Sequence, residues 1–186
     1  CLAGGVALNC VANGKILKEK IFDNIWVQPA AGDAGGSLGA ALALWHNEFN
    51  KKRIIGKKDS MKGSYLGPEY NNKQIEEEFL KLGAKYKIFN ENDLLIKTAK
   101  DLAAGKAVGW FQGRMEFGPR ALGSRSILGD SRCPDMQKNL NLKVKYRESF
   151  RPFAPSILKE DVSKWFDIFQ ESPYMLIVGN VVKEKC

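Results

Sequence analysis

Apolar residues recur along the chain in short runs, separated by glycine, asparagine and proline, as in folds that alternate strands with helices. In the first fifty residues, this pattern predicts strands around Leu2 and at 25–28, and an alanine- and leucine-rich helix from Ser37 to Phe49. Residues 50–71 keep no sustained period, which predicts a connection between domains. The fold class predicted from the alternation is α/β.

The same alternation continues through the rest of the chain. Helices are predicted at 72–82, 92–104, 134–142 and 161–166, and strands at 85–89, 106–111, 156–158 and 175–178. No initiating methionine opens the sequence, and the last apolar strand is followed by no further element. We therefore expect the chain to be a piece of a longer protein, with an unfinished sheet.

Composition narrows the classes of protein. No run approaches the roughly 18 apolar residues of a membrane helix, and the first residues have no features of a signal peptide. The four cysteines form no CxxC pair and there is one histidine, so we expect reduced thiols in a cytoplasmic protein. The net charge is +8, and six of the seven arginines lie within 101–160, where they favour phosphate or carboxylate recognition.

The strongest candidate for chemistry is a glycine/arginine segment, residues 112–126, directly after the predicted strand at 106–111. This is where α/β proteins place ligand loops. Pro119 is expected to begin a helical turn whose free N–H groups point at an anion. Arg114, Arg120 and Arg125 would add forked donors for phosphate oxygens. The alternative is a glycine-rich turn with solvated arginines.

A second basic segment covers residues 143–156. Lys143, Lys145 and Arg147 alternate, so they would share one face of an extended chain. Two prolines hold the backbone after Arg151 extended and restrict its conformations. A basic edge segment, protected from aggregation by charge and proline, explains the pattern equally well.

Two glycine turns near the start form a third candidate. Residues 4–9 and 32–36 are each predicted to lie between a strand and a helix, and they could close on a nucleotide from opposite sides. Asp33 is a carboxylate among glycines, which suits a metal ion or a ribose hydroxyl. Close packing of helices explains the glycines as well.

Together these segments resemble one family, the O-carbamoyltransferases of nodulation-factor and antibiotic biosynthesis (the NodU/CmcH type). The segments that match are 2–9, 32–41, 113–126 and 150–156, in the family's order. The resemblance implies the C-terminal tail of an actin-like domain over residues 1–52, related to tRNA threonylcarbamoyl-transferases. A truncated YrdC-like α/β domain, incomplete at its C-terminus, is implied over residues 53–186.

The resemblance also implies an activity and its partners. The enzyme would activate carbamoyl phosphate with ATP as carbamoyl-adenylate, then pass the carbamoyl group to the hydroxyl of a small-molecule or sugar acceptor. Its implied cofactors are ATP and a divalent metal, Mg²⁺ or, in the full-length protein, iron. The family's metal-binding histidines lie upstream of the residues present, so we expect the chain alone to transfer nothing.

Site residues follow from the resemblance, residue by residue. The implied catalytic residues are Arg120, Arg125 and Arg151. The implied ligands of the phosphates and the carbamoyl group are Arg114, Lys143, Arg147 and Ser156. Nucleotide contacts are implied for Gly5, Asn9 and Gly36, and metal binding for Asp33.

Other interpretations stay open on sequence alone. A basic YrdC-like module that binds nucleic acid or nucleotides without transferase activity would explain the positive charge, but the arginines lie in glycine/proline loops without interleaved aromatics. An actin-like sugar kinase would leave residues 112–126 unexplained. No membrane partner is expected. The apolar faces near the start would fray or dock on a second copy, giving self-association.

Overall fold

The computed structural model of the chain describes residues 1–168 and 170–185. They form two compact units, each built from stretches distant in sequence. Unit 1 contains residues 1–67 and 115–122 together with the chain from Ser156 onward. Unit 2 contains residues 68–114 and 123–155. The glycine/arginine segment is therefore divided, since its middle belongs to unit 1 and its two ends belong to unit 2.

Unit 1 opens with a 3-10 turn, Gly5–Leu8, followed by helix α1, Cys10–Lys18. Helix α2, Asp33–Ala43, continues into a π-helical turn over Leu44–Glu48. The helix predicted from Ser37 thus begins four residues earlier, because Gly32 rather than Ser37 occupies the N-cap. Shorter helical turns follow at Lys62–Ser64, Lys159–Asp161, Val162–Trp165 and Lys183–Lys185.

Strand pairing in unit 1 is sparse. The strand predicted at 25–28 is reduced to a single parallel bridge between Leu2 and Val27, flanked by two backbone hydrogen bonds of 2.8 and 3.0 Å. The strands predicted at 156–158 and 175–178 do not form, and Phe166–Asp167 pairs instead with Asn180–Val181. Apolar sequence alone makes no strand, because each strand also needs a partner edge.

A small apolar core holds unit 1 together. Its buried members come from three distant stretches, Ala7, Val27, Ala31 and Leu176. Asn13 ties two of these stretches together, because its side-chain amide is 2% exposed and donates to the carbonyls of Ala7 at 2.8 Å and Leu176 at 2.9 Å. Buried polar groups of this kind are nearly always hydrogen-bonded.

Unit 2 contains the better-defined elements. Helix α3, Asn72–Lys81, and helix α4, Glu91–Ala103, each begin at an asparagine cap and confirm the predicted helices to within a residue. Strands β1, Val108–Phe111, and β2, Arg125–Leu128, pair antiparallel, with Phe111 opposite Arg125. Helix α5, Met136–Asn139, runs into a π-helical turn over Leu140–Val144. The strand predicted at 85–89 does not form.

The coarse α/β prediction is confirmed, since the described residues combine helices with two small sheets. Cys1, Cys10 and Cys133 are free thiols, as expected, and Cys186 lies outside the described residues. None of the described helices is both long enough and apolar enough to cross a membrane. Val6, Val11, Leu42 and Leu44 are exposed, as anticipated for the apolar faces near the start, and self-association through them stays a prediction.

Candidate functional site

Three segments of unit 1 meet in what we call the glycine-loop cluster, residues 4–9, 29–36 and 115–122. The N–H of Gly4 donates to the carbonyl of Ala31 at 2.8 Å. Gly118 lies so close to Ala30 that a Cβ added to the glycine would stand 2.6 Å from the Ala30 Cβ. Arg120 Nη2 donates to the carbonyl of Leu8 at 2.5 Å. The middle of the glycine/arginine segment therefore contacts both glycine turns.

A buried carboxylate organises the third segment of this cluster. Glu116 is 4% exposed, and its Oε1 accepts the N–H of Leu122 at 2.7 Å. The segment is further tied to the Lys62–Ser64 turn, where the carbonyl of Ser64 accepts the N–H of Phe117 at 2.6 Å. Sequence reasoning missed Glu116. Its one signal was an acid standing alone in an otherwise basic loop.

The prediction of a helical turn beginning at Pro119 is wrong. Residues 117–122 form bends and irregular backbone. Gly118 has φ +106°, outside the helical range, and the Leu122 N–H is bonded to the Glu116 carboxylate instead of a backbone carbonyl one turn earlier. Any anion bound here would be held by side chains and loop N–H groups, because no helix N-terminus is present in this described segment.

The proposed nucleotide contacts of unit 1 lie on open backbone. Apart from chain neighbours and the backbone of their own helical turns, no atom lies within 4 Å of a Cβ added to Gly5 or Gly36, so both positions border open space. Gly36 lies within the first turn of α2 instead of in a free loop. Asn9 caps α1, its side chain accepting the N–H of Ala12 at 3.1 Å. Nucleotide contacts at these positions stay a prediction.

Asp33 does not by itself fit a specific metal site. It occupies the first turn of α2, where the helix dipole favours a negative charge. The described residues contain no group of three His, Cys, Asp or Glu side chains able to hold a metal ion together. Specific transition-metal sites need about three protein ligands, so Asp33 alone cannot hold such an ion.

In unit 2 the basic segment forms a closed loop, which we call the basic loop, residues 143–153. It leaves the π-helical turn through Lys145, whose N–H donates to the carbonyl of Leu140 at 2.9 Å. Tyr146 then adopts φ +49°, and the N–H of Arg147 returns to the carbonyl of Asn141 at 3.0 Å. Glycine usually takes this left-handed position at a helix end, so the backbone at Tyr146 is strained.

Asn141 precedes the basic loop in sequence and bonds several of its residues, and sequence reasoning missed it. It is 0% exposed. Its Nδ2 donates to the carbonyls of Ser149 at 3.1 Å and Arg151 at 2.8 Å, and its Oδ1 accepts from Arg147 Nε at 2.7 Å. The guanidinium of Arg147 also lies over the ring of Phe153, 5.0 Å from its centroid. One buried amide thus fixes the loop backbone and an arginine together.

The other candidates of the basic loop are more exposed. Arg151 Nε donates to Glu148 Oε2 at 2.9 Å, with both side chains about half exposed. The pKa of Glu148 is held below its usual range by its own backbone N–H and by Arg151. Lys143 borders a cavity of about 210 Å³ beside Met136 and Leu140. These groups leave the loop positively charged at neutral pH.

The remaining arginines of the glycine/arginine segment have different surroundings. Arg114 Nη2 forms an ion pair with Glu69 at 2.9 Å in unit 2, and both side chains are about half exposed. Arg125 is half-buried on β2. Ser156 is exposed, in unit 1, on backbone without regular structure.

The structure therefore divides the predicted site residues into two sets. Unit 1 holds Gly5, Asn9, Asp33, Gly36, Arg120 and Ser156, and unit 2 holds Arg114, Arg125, Lys143, Arg147 and Arg151. Within unit 1, Arg120 contacts the turn that carries Gly5 and Asn9. Within unit 2, Arg147 and Arg151 are joined through Asn141.

Unit 1 also has a larger cavity, of about 550 Å³, bordered by Trp26, Asp59 and Tyr174 among others. The hydroxyl of Tyr174 donates to the Asp59 carboxylate. Burial and this hydrogen bond raise the pKa of Tyr174 to about 12. The same hydroxyl, together with the N–H groups of Gly63 and Met61, lowers the pKa of Asp59. Sequence reasoning had not singled out this pair.

Comparison with known proteins identifies the class to which this arrangement belongs. The family model for the carbamoyltransferase N-terminus matches residues 1–42, and the model for the carbamoyltransferase C-terminus matches residues 99–186. The chain belongs to the carbamoyltransferase family, as the resemblance had indicated.

Individual relatives agree with this family. The chain is 60% identical to an uncharacterized protein of Synechocystis over 99% of its length, which is 30% of that protein. It is 44% identical to nodulation protein NolO of Bradyrhizobium diazoefficiens, with 100% of the chain aligned to 34% of the relative. It is 32% identical to 3'-hydroxymethylcephem-O-carbamoyltransferase of Streptomyces clavuligerus, over 98% of the chain and 32% of the relative. The chain thus spans about a third of the length of these relatives.

Proposed function

We propose that the chain is part of an ATP-dependent O-carbamoyltransferase, which activates carbamoyl phosphate as carbamoyl-adenylate and transfers the carbamoyl group to a hydroxyl. In this proposal residues 1–52 close an actin-like domain and residues 53–186 form most of a YrdC-like domain. The observation that carries it is the basic loop of a carbamoyltransferase-family chain, in which a buried amide fixes one arginine and the backbone of another.

The proposed reaction has two stages, activation of the carbamoyl group and its transfer to the acceptor. Water releases phosphate from carbamoyl phosphate, and an oxygen of the resulting carbamate attacks the α-phosphorus of ATP, so that pyrophosphate leaves and carbamoyl-adenylate forms. The acceptor hydroxyl then loses its proton as its oxygen attacks the carbamoyl carbon, and AMP leaves. Negative charge gathers on phosphoryl oxygens in the first step, which is where fixed guanidinium groups stabilise a transition state.

The candidate residues fit this chemistry by type and placement. Arg147 and Arg151 lie in the basic loop and carry the forked donors that suit a phosphate dianion. Arg120 bonds the carbonyl of Leu8, so it anchors the segment 115–122 on the glycine turn proposed to meet the nucleotide. The open backbone of Gly5 and Gly36 leaves room for that nucleotide.

Pyrophosphate exchange tests the first step. The chain is incubated with ATP, Mg²⁺, labelled pyrophosphate and carbamoyl phosphate, and label entering ATP is measured with and without carbamoyl phosphate. We expect exchange that depends on carbamoyl phosphate. Removing one donor of this kind costs roughly 10²–10³ in rate, which is the loss we expect for Arg147→Ala.

Arg132→Ala is the matched control, because Arg132 is an exposed arginine of the same unit that pairs with Asp130 outside the basic loop. It should keep its exchange rate. Equal loss in both variants would mean that general positive charge, not the basic loop, supports the reaction. No exchange in the unsubstituted chain would refute the assignment of activation to these residues.

A further inference from the structure

We infer that Asn141 and Phe153 are positioning residues that hold Arg147 ready for a phosphate-bearing substrate. The identity of that substrate, carbamoyl phosphate, rests on the proposed function, whereas the positioning rests on geometry alone. Neither Asn141 nor Phe153 was among the predicted site residues, although Phe153 lies in the segment 150–156 that carries the family resemblance. Their effect is on one arginine, and through it on the affinity of the basic loop for an anion.

The contacts of Arg147 leave its outer edge available. Its Nε donates to the buried Oδ1 of Asn141, and one face of the guanidinium lies over Phe153. Among the contacts of the described residues, none bonds its two Nη atoms. These two nitrogens form the edge that binds phosphate or carboxylate in a forked arrangement. The inner side of the guanidinium is thus fixed by protein, while the residue is only half-buried and both Nη atoms keep their donors for a ligand.

Fixing an arginine in advance strengthens binding. A flexible arginine loses side-chain freedom when it captures an anion, and that loss weakens affinity by a factor of about ten. In this chain the side chain of Arg147 is already ordered on folding, so binding an anion restricts it no further. The reason is that Asn141 is fully buried and bonds Arg147 as well as the carbonyls of Ser149 and Arg151. Aromatic rings hold guanidinium groups at centroid distances below about 6 Å, and Phe153 lies within that range.

The backbone around Arg147 supports a functional reason for this arrangement. A π-helical turn and a non-glycine residue at φ +49° directly precede it. Both features are unfavourable relative to a regular helix end, and both concentrate at functional sites. The strain at Tyr146 turns the chain so that the N–H of Arg147 reaches the carbonyl of Asn141. The backbone and the side chain of Arg147 are therefore both bonded to Asn141.

The test uses the full 186-residue chain and two probes, carbamoyl phosphate and inorganic phosphate. Phe153→Leu removes the ring but keeps an apolar side chain, and Phe153→Tyr restores a ring. Phe150→Leu is the matched control, because Phe150 lies in the same loop and is 78% exposed. Titration calorimetry at fixed ionic strength gives the affinities, and the Nε–Hε signal of Arg147 in a ¹⁵N–¹H spectrum reports its position. The signal is assigned by its absence in Arg147→Lys.

We expect Phe153→Leu to shift the Arg147 Nε–Hε signal, since the ring current is lost, and to weaken carbamoyl phosphate binding about ten-fold. Phe153→Tyr should restore both, and Phe150→Leu should alter neither. Asn141→Ala should make Hε exchange rapidly with water, because its acceptor is gone. Backbone spectra that stay dispersed in each variant show that folding is retained.

The outcomes separate this inference from the proposed function. An unchanged Arg147 signal and unchanged affinity in Phe153→Leu would overturn the positioning role. A shifted signal with about ten-fold weaker binding of inorganic phosphate supports that role even if no pyrophosphate exchange occurs, in which case the proposed reaction alone fails. Equal weakening in Phe150→Leu would also overturn the inference, since the effect would then not depend on the stacked ring.

Discussion

Replacing Gly118 by alanine tests the contact on which the glycine-loop cluster depends. Gly118 has φ +106°, and a Cβ at this position would stand 2.6 Å from the Cβ and 3.3 Å from the Cα of Ala30. Real Cβ atoms do not approach that closely, so one of the two segments must move. Ala30 lies within the turn 29–36 and is 8% exposed, which leaves it little room to yield.

The expected magnitude has two parts. An alanine forced to this φ is destabilised by about 1–2 kcal/mol, and overpacking a close contact adds about 1–3 kcal/mol. Gly4→Ala separates the parts, because Gly4 also lies in unit 1 with φ +88° but has no atom within 4 Å of an added Cβ. Both variants force an alanine to a positive φ, and only Gly118→Ala adds the contact with Ala30, so a larger effect of Gly118→Ala reports that contact.

Hydrogen exchange measured by mass spectrometry is the assay, with peptides that cover residues 115–122 and 27–36. A difference of about 1–3 kcal/mol corresponds to exchange about 5–150 times faster in Gly118→Ala than in Gly4→Ala. Peptides of α3 provide a reference within the same sample. If Gly118→Ala exchanges no faster than Gly4→Ala at these peptides, the packing of 115–122 on the turn 29–36 is refuted.

Three further predictions concern single residues. Asn13→Ala leaves two buried carbonyls unsatisfied and should lower the free energy of unfolding by about 2–4 kcal/mol in urea denaturation. Tyr146→Gly should raise the free energy of unfolding by about 1 kcal/mol, since the side chain is 86% exposed and the backbone strain is lost. The control Lys145→Gly should lower the free energy of unfolding, because Lys145 has φ −92° and carries no such strain. Tyr174 should ionise near pH 12 by ultraviolet absorbance, so its stabilising contribution is full below pH 10 and lost between 10 and 12. Asp59→Asn should move that midpoint only part of the way toward 10.0, because burial is the larger cause.

The helices of unit 2 could be predicted because their signals are local. Asn71 and Asn90 accept the N–H groups three residues ahead, and glycines with positive φ follow both helices. The bounds of α3 and α4 therefore matched the sequence pattern to within a residue. Strands depend on partners that the pattern does not specify, and the alternating residues 85–89 found no partner edge among the described residues.

Residue type alone suggested the candidate site, and its contacts could not be predicted. The arginines of the glycine/arginine segment and of the basic loop predict anion binding, which stays a prediction. The buried polar residues that organise the loops gave no comparable signal. Asn13 bonds a carbonyl 163 positions away, and the role of Asn141 depends on a chain reversal through Tyr146. These roles arise from tertiary structure, so a sequence pattern cannot assign them.

Arginines of one chain differ in what they can do, and their partners explain the difference. Arg132 and Arg151 lie in exposed ion pairs, which solvent screens and which rearrange easily. In the proposed function, Arg151 would therefore exchange Glu148 for a substrate phosphate at little cost. Arg147 is fixed by a buried amide and a ring, so in the proposed function it would set where the anion lies. A fixed arginine beside one in an exposed ion pair would then let the basic loop place a phosphate first and contact it with the second guanidinium afterwards, which a loop of equally exposed charges could not do.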